Sequence, residues 1–276
     1  MRDWLEAGRE RFTGELRSAT ASMVFVVTQG VRHAGRSTGY ANTVLCVRVG
    51  SGTGTAAVAP GTLTGAETPR LVEEIVGTSV ADLLEHPDPA VRLAALDAFL
   101  LDRAPHGTDP AARAVVLPPG DTVTRSRCRA RTVAGLVDAA PSSRVAVIGV
   151  VNSLLEALRA RGLQPVPCDL AGGETEWGEP VLTDTARAVD SADAVLATGM
   201  VLANGTWPEL RDRCRARGIA PSVFAQTGSA VFAHLLRDEL AALSAEPFPY
   251  FWLTGDAGTI WTYGPGRAGA TERVSA

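Results

Sequence analysis

The chain has 276 residues, 46% of them hydrophobic and 20% charged, enough apolar material for a core and too little charge for a disordered polypeptide. A net charge of −4 and a pI near 5.6 argue against a protein that coats nucleic acid or an anionic membrane. All 26 basic residues are arginine, which excludes a lysine Schiff base, a lysine-bearing phosphate loop and a lysine general base.

The opening MRDWLEAGRERF is polar and amphipathic and predicts a helix over 3–17. It lacks the positive-then-apolar pattern of a secretion signal, and no apolar run approaches the roughly 18 residues of a membrane span. Cys46, Cys128, Cys168 and Cys214 form no CxxC pair, so the expectation is reduced thiols in a cytoplasm. Strands are predicted at Met23–Thr28 and Thr43–Val49, joined by a polar connection from Gln29 to Asn42 with Ser37, Thr38 and Tyr40 near its tip. SGTGTAAVAPGTLTG reads as a glycine- and threonine-rich loop. Helices follow at TPRLVEEIV, at Ser79–Leu84 and at Asp88–Leu101, the last with Val91, Leu93, Ala94, Ala98 and Leu101 on one stripe.

The segment Ala104–Gly120, with its prolines and glycines, reads as a connection. Beyond it strands and helices alternate: a helix at Thr132–Ala139, a strand at Arg144–Val150, a helix at Ser153–Arg161, then strands at Pro165–Leu170, Ala194–Thr198 and Ala220–Ala225, with helices at Trp207–Arg217 and Ala230–Leu240. Near-continuous apolar strands separated by helices imply a parallel sheet covered on both faces. The expected class is therefore α/β: an N-terminal α+β domain over 1–108, a linker over 109–122, and a Rossmann-like domain over 123–276.

Three turns at the carboxyl ends of these strands carry candidate ligand-binding residues. VAVIG ends in Gly149, Asn152 follows it, and Asp169 lies twenty residues after Gly149, where a dinucleotide fold places a ribose-binding acid. The fingerprint is incomplete, because the next two glycine positions hold Val151 and Leu154. The second turn holds Thr198, Gly199, Asn204, Gly205 and Thr206; the third holds Gln226, Thr227, Gly228 and Ser229. Turn and cap chemistry accounts for each of them singly, whereas together on one sheet edge they would wall a crevice.

Other features favour bland readings. FPYFWLTGDAGTIWTYG is a hairpin candidate whose Tyr250, Phe251, Trp252, Trp261 and Tyr263 serve the core, with cleft cover or a homodimer contact as the second reading. Arginines around Cys128 and Cys214 read as solvated surface more readily than as activators of a thiol. His33, His86, His106 and His234 have no metal-ligand spacing.

VAVIG, the TG-x-x-L-x-NGT stretch from Thr198 to Thr206, and the helix PAVRLAALDAFL together resemble the heavy-metal-chelation family, in which a Rossmann-like DUF364 domain follows a DUF4213 domain. The resemblance implies an N-terminal domain like that of enolase. Gly149 falls on the family's strand-end glycine; Thr198, Gly199, Leu202, Asn204, Gly205 and Thr206 fall on its TG-x-x-L-x-NGT pattern; Ala94, Ala95 and Ala98 fall on its alanine-rich helix. Two departures stand out: Asp97 replaces the family's usual asparagine, and QTGS replaces its proline- and glycine-containing turn.

The expected function is binding of a polar or anionic small metabolite, a metal-chelating one among the candidates, between the two domains. Asn204 would hydrogen-bond it, Gly199 and Gly205 would permit close approach, and Thr206, Thr227 and Ser229 would add donors. Asp169, Glu174 and Glu176 are the available acid/base groups. The alternatives are an enzyme using NAD(P) or S-adenosylmethionine with Asp169 on the ribose, and a non-catalytic carrier or sensor of a metal chelate.

Overall fold

The computed structural model describes residues 4–31, 39–59, 63, 67–264 and 272–273. Helices α1 (Trp4–Arg11) and α2 (Thr13–Ser18) lead into three antiparallel strands, β1 (Ala21–Val31), β2 (Tyr40–Val49) and β3 (Gly52–Val58). Helices α3 (Thr68–Ile75), α4 (Val80–Leu83) and α5 (Pro89–Arg103) follow. Asp88 caps α5 by accepting the Ala90 amide at 2.8 Å, with Pro89 pre-set for the first turn.

β3 overturns the expectation of a loop over this segment. Glycine is a poor strand former, but here α5 packs directly on the β3 backbone. A Cβ on Gly54 would collide with Ala98 N and Ala94 O, and one on Gly52 with Ala98 O. The small residues on the alanine face of α5 and the glycines of β3 thus remove side chains from both sides of one contact. The rest of α5 is also buried, including Ala95, Leu96, Asp97, Phe99 and Leu100, because α1 and the helical segments Met200–Ala203 and Ser229–His234 pack on it.

The second sheet is built from β4 (Arg113–Leu117), β5 (Arg144–Ile148), β6 (Gln164–Cys168), β7 (Ala194–Thr198), β8 (Ser222–Ala225), β9 (Ala242–Ala245), β10 (Gly258–Tyr263) and β11 (Glu272–Arg273), in the order β11-β4-β10-β9-β8-β7-β5-β6. The run β9-β8-β7-β5-β6 is parallel, and β10 lies antiparallel to both β9 and β4. Helices α6 (Thr122–Gly135), α7 (Asn152–Ala160), α8 (Thr185–Asp190), α9 (Met200–Ala203), α10 (Trp207–Ala216) and α11 (Ser229–His234) connect and cover it.

The α/β class stands, while several local expectations change; the helix expected over Thr132–Ala139 runs over Thr122–Gly135. Residues 113–117, within the expected linker, form strand β4. The segment FPYFW is not one arm of a hairpin: β10 finds its partners in β9 and β4, and residues 247–257 cross between the two sheets as a strap without strand pairing. The helix expected over Ala230–Leu240 stops at His234 and gives way to a single tight turn at Arg237–Glu239. One apolar cluster runs through both halves of the chain, from Leu45 and Leu93 to Ala197, Val231 and Tyr263. Among the described residues no helix is long and apolar enough to cross a membrane.

Candidate functional site

The carboxyl ends of β7 and β8 face the three-stranded sheet, and a cavity of about 40 Å³ lies between them. Gln29, Asn42, Val44 and Ala57 line it from one side; Thr198, Met200, Phe224, Gln226 and Thr227 line it from the other, and Tyr250 of the strap completes it. This small volume admits water but no metabolite, since ligand pockets run to several hundred Å³. A larger, open groove of about 420 Å³ follows the outer strand β6 between Arg144, Glu179 and Arg187, and none of the sequence-predicted residues lines it.

The rim is tied to the opposing sheet by hydrogen bonds. The Ala57 amide donates to Thr227 Oγ1 at 3.0 Å, the Thr55 hydroxyl donates to the Gln226 carbonyl at 2.7 Å, and the Gly228 amide donates to the Thr55 carbonyl at 3.2 Å. Gln226 Nε2 donates to Glu246 Oε2 at 3.0 Å, which orients the amide and leaves its oxygen free of that contact. Glu246 in turn holds Arg129, whose Nε lies 2.9 and 3.1 Å from its two oxygens, and Ser244 donates to it at 2.9 Å. Trp252 Nε1 donates to Gln29 Oε1, fixing the strap to β1.

Tyr250 differs from these groups. It is 3% exposed and packs against Val44 and Cys46, and its hydroxyl makes no hydrogen bond of good geometry, the Thr55 side chain being the polar group within its reach. Burial pushes its pKa up, so the phenol stays protonated and retains a donor. A buried hydroxyl without a partner costs about 1–3 kcal/mol unless something fills the role.

Of the sequence-predicted site residues, the structure gathers Thr198, Gln226 and Thr227 at the cavity. The others serve local structure. Gly149 has φ 88°, and a Cβ there would lie 2.6 Å from Thr198 Cγ2; at Gly199 a Cβ would lie 2.9 Å from Ala225 Cα. Both glycines admit a neighbouring strand rather than a ligand. Asn204 is exposed, and its Oδ1 accepts the Thr206 amide at 3.1 Å and hydroxyl at 2.7 Å, while Gly205 supplies the positive φ of that turn. Asn152 accepts the Glu176 amide at 3.4 Å. Asp169 accepts the Val150 amide at 3.2 Å and the Ala171 amide at 3.0 Å, and Glu174 is exposed in the same loop. Gly228 is buried with φ 63°, and a Cβ there would lie 2.9 Å from Leu202 Cδ1.

Ser229 is sealed in the interior, its hydroxyl 3.1 Å from His106 Nε2, while His106 Nδ1 lies 2.7 Å from the Tyr263 hydroxyl. The array has the members of a nucleophile and base, but all three side chains are buried and none lines the cavity. Burial, aided by the neighbouring His234, pushes His106 down to about 3, so it works here as a neutral hydrogen-bonding bridge.

Sequence reasoning missed Gln29, Asn42 and Tyr250 as lining residues, though an aromatic segment covering a cleft was the second reading of FPYFW. Three arginines expected in solvent, Arg125, Arg129 and Arg211, are buried. The four cysteines are buried; burial pushes Cys46 to about 12 and Cys214 to about 11. Among the described residues no group of three or more His, Cys, Asp or Glu converges to hold a metal ion. Ser37, Thr38 and His33 lie outside the described residues, as does the Tyr40 side chain.

A family model, DUF364, described as "Putative heavy-metal chelation", matches residues 132–233. A DUF364 protein of unknown function from Desulfitobacterium hafniense DCB-2 is similar in structure, with a TM-score of 0.54, 16% identity, and coverage of 87% of this chain and 84% of that one. Another from Pyrococcus horikoshii gives a TM-score of 0.54 and 12% identity over 94% of this chain and 99% of that one. At these identities the likeness shows the fold. No curated protein matches the chain.

Proposed function

We propose that this chain binds a small polar metabolite in the cleft between the three-stranded sheet and the carboxyl ends of the parallel strands. The observation that carries this reading is the Tyr250 hydroxyl, buried at the cavity wall with no well-formed hydrogen bond and only the Thr55 side chain within reach. Around it stand the amides of Gln29, Asn42 and Gln226 and the hydroxyl of Thr227, a set suited to reading hydroxyl, carbonyl or amide groups. The cleft must widen to take such a molecule, and water fills it otherwise. The described side chains do not fit a bare metal ion. The metal chelation in the family description therefore enters this proposal through the ligand, which would carry its own chelating groups. Asp169, already engaged by two backbone amides, does not favour the nucleotide-cofactor alternative.

The test is native mass spectrometry and elemental analysis of the purified protein, alongside Tyr250→Phe. Because the hydroxyl makes no well-formed bond to the protein, its removal changes the melting temperature little, while occupancy by the retained molecule falls at least about tenfold. Equal occupancy in the variant, or a large loss of stability, overturns the reading.

A further inference from the structure

Arg125 is 1% exposed, and its guanidinium is incompletely satisfied. Nη1 donates to the Thr254 carbonyl, whereas Nε and Nη2 have no partner. One helical turn further on, Arg129 shows the usual solution for a buried guanidinium: both oxygens of Glu246 meet it. Taking a guanidinium out of water costs several kcal/mol unless an anion and hydrogen bonds compensate. Arg125 has paid that desolvation without the anion.

Its position is as informative as its missing partner. Nη2 lies beside Gly258, the first residue of β10, which pairs with Leu117 at the end of β4. β10 runs antiparallel to β9, with Trp261 opposite Ala245, so Gly258 projects beyond the carboxyl end of β9. The guanidinium therefore sits on the same sheet edge as the turns of the cleft. A Cβ built on Gly258 would lie 3.0 Å from Nη2 and crowd that side of the guanidinium. Glycine at 258 leaves that side of the guanidinium clear of a side chain. The cover over it is the strap's turn at 253–257, whose residues are all exposed and which carries the Thr254 carbonyl.

We infer that Arg125 is an oxyanion-binding site: a carboxylate or phosphate group takes the place in front of Nη2 and Nε when the turn at 253–257 lifts. The planar fork of a guanidinium offers two parallel N–H groups to such an anion. The site deepens the cleft reading by giving the ligand its charged group, and rests on that reading only for the rest of the molecule.

The probes are inorganic phosphate and malonate, titrated into the full chain while melting temperature and tryptophan fluorescence are followed, with Trp252 on the strap as a nearby reporter. The expected result is a saturable rise in melting temperature with at least one probe, and the stronger of the two identifies phosphate or carboxylate. Arg125→Gln abolishes it. Gly258→Ala, which keeps the arginine and plugs the place beside it, weakens it at least about tenfold, so the outcome does not depend on the arginine variant folding. No response in the wild type, or an undiminished response in Gly258→Ala, overturns the inference. Tyr250→Phe retains the response to both probes, so failure of the cleft reading and failure of the anion site are separately visible.

Discussion

Asp97 Oδ1 accepts the Ala230 amide at 2.8 Å across 133 residues of chain, and its other oxygen accepts the Thr55 amide at 3.1 Å. One carboxylate thus ties β3 to the start of α11 and so positions the Gln226–Thr227 turn against the three-stranded sheet. It stands where the resemblance implies asparagine, whose single acceptor oxygen cannot serve both amides as well.

Burial pushes Asp97 up to about 7, against the pull of its backbone donors. With a folded pKa above the unfolded value of about 3.9, its contribution is full below that value and is lost as pH rises towards 7. Relative to Asp97→Asn, the wild type should lose on the order of 4 kcal/mol of stability between pH 4 and 7.5. Urea denaturation of both proteins at the two pH values measures this, and parallel pH profiles would refute it.

His106 works in the opposite direction. Its folded pKa, about 3, lies below the unfolded value, so its contribution is full above about pH 6.5 and is lost as pH falls towards 3. Between pH 7 and 4.5 the loss is on the order of 3 kcal/mol. His106→Gln should be less stable than wild type at pH 7 and flatter on acidification. An equally steep acid loss in the variant would assign that loss to other groups.

The glycines of β3 make a steric prediction. A Cβ on Gly54 meets helix backbone on α5, which cannot rotate away, so Gly54→Ala should destabilise by about 3 kcal/mol or more. Gly14 is the internal control. It lies in α2 with nothing within 4 Å of an added Cβ, and Gly14→Ala should stabilise by up to about 1 kcal/mol. Thermal unfolding of both variants decides the matter.

That contrast shows where the sequence is legible and where it is not. Strands such as β5, apolar along almost their whole length, announce a sheet buried on both faces. GTGTAAV carries no such signal, because its strand exists by virtue of a helix that follows it by some thirty residues. The same applies to the site. Thr198, Gln226 and Thr227 follow strands and could be read locally. Gln29, Asn42 and Tyr250 reach the cavity only through tertiary packing, as in the Thr55–Gln226 bond across 171 residues. Arg125 and Arg129 sit in an arginine-rich helix whose composition points to solvent, and only the strap and Glu246 show why two of its members turn inward.

Arg129 and Glu246 supply the last prediction. Their side chains are 6% and 2% exposed, and the carboxylate also receives Gln226 and Ser244. Attraction between buried charges mostly offsets their desolvation, so the pair adds little net stability, yet either partner left alone is costly. Arg129→Met should therefore destabilise by about 3–5 kcal/mol, partly because the Arg129 guanidinium also lies 4.9 Å above the Phe224 ring. Adding Glu246→Gln to that variant removes the stranded charge while keeping a group that Gln226 and Ser244 can bond. The double variant should recover at least about 1 kcal/mol relative to Arg129→Met. Because Gln226 takes its orientation from Glu246, both variants should also disturb the cleft. A double-mutant cycle by urea denaturation measures the coupling, and strictly additive losses would show that the two charges do not depend on each other.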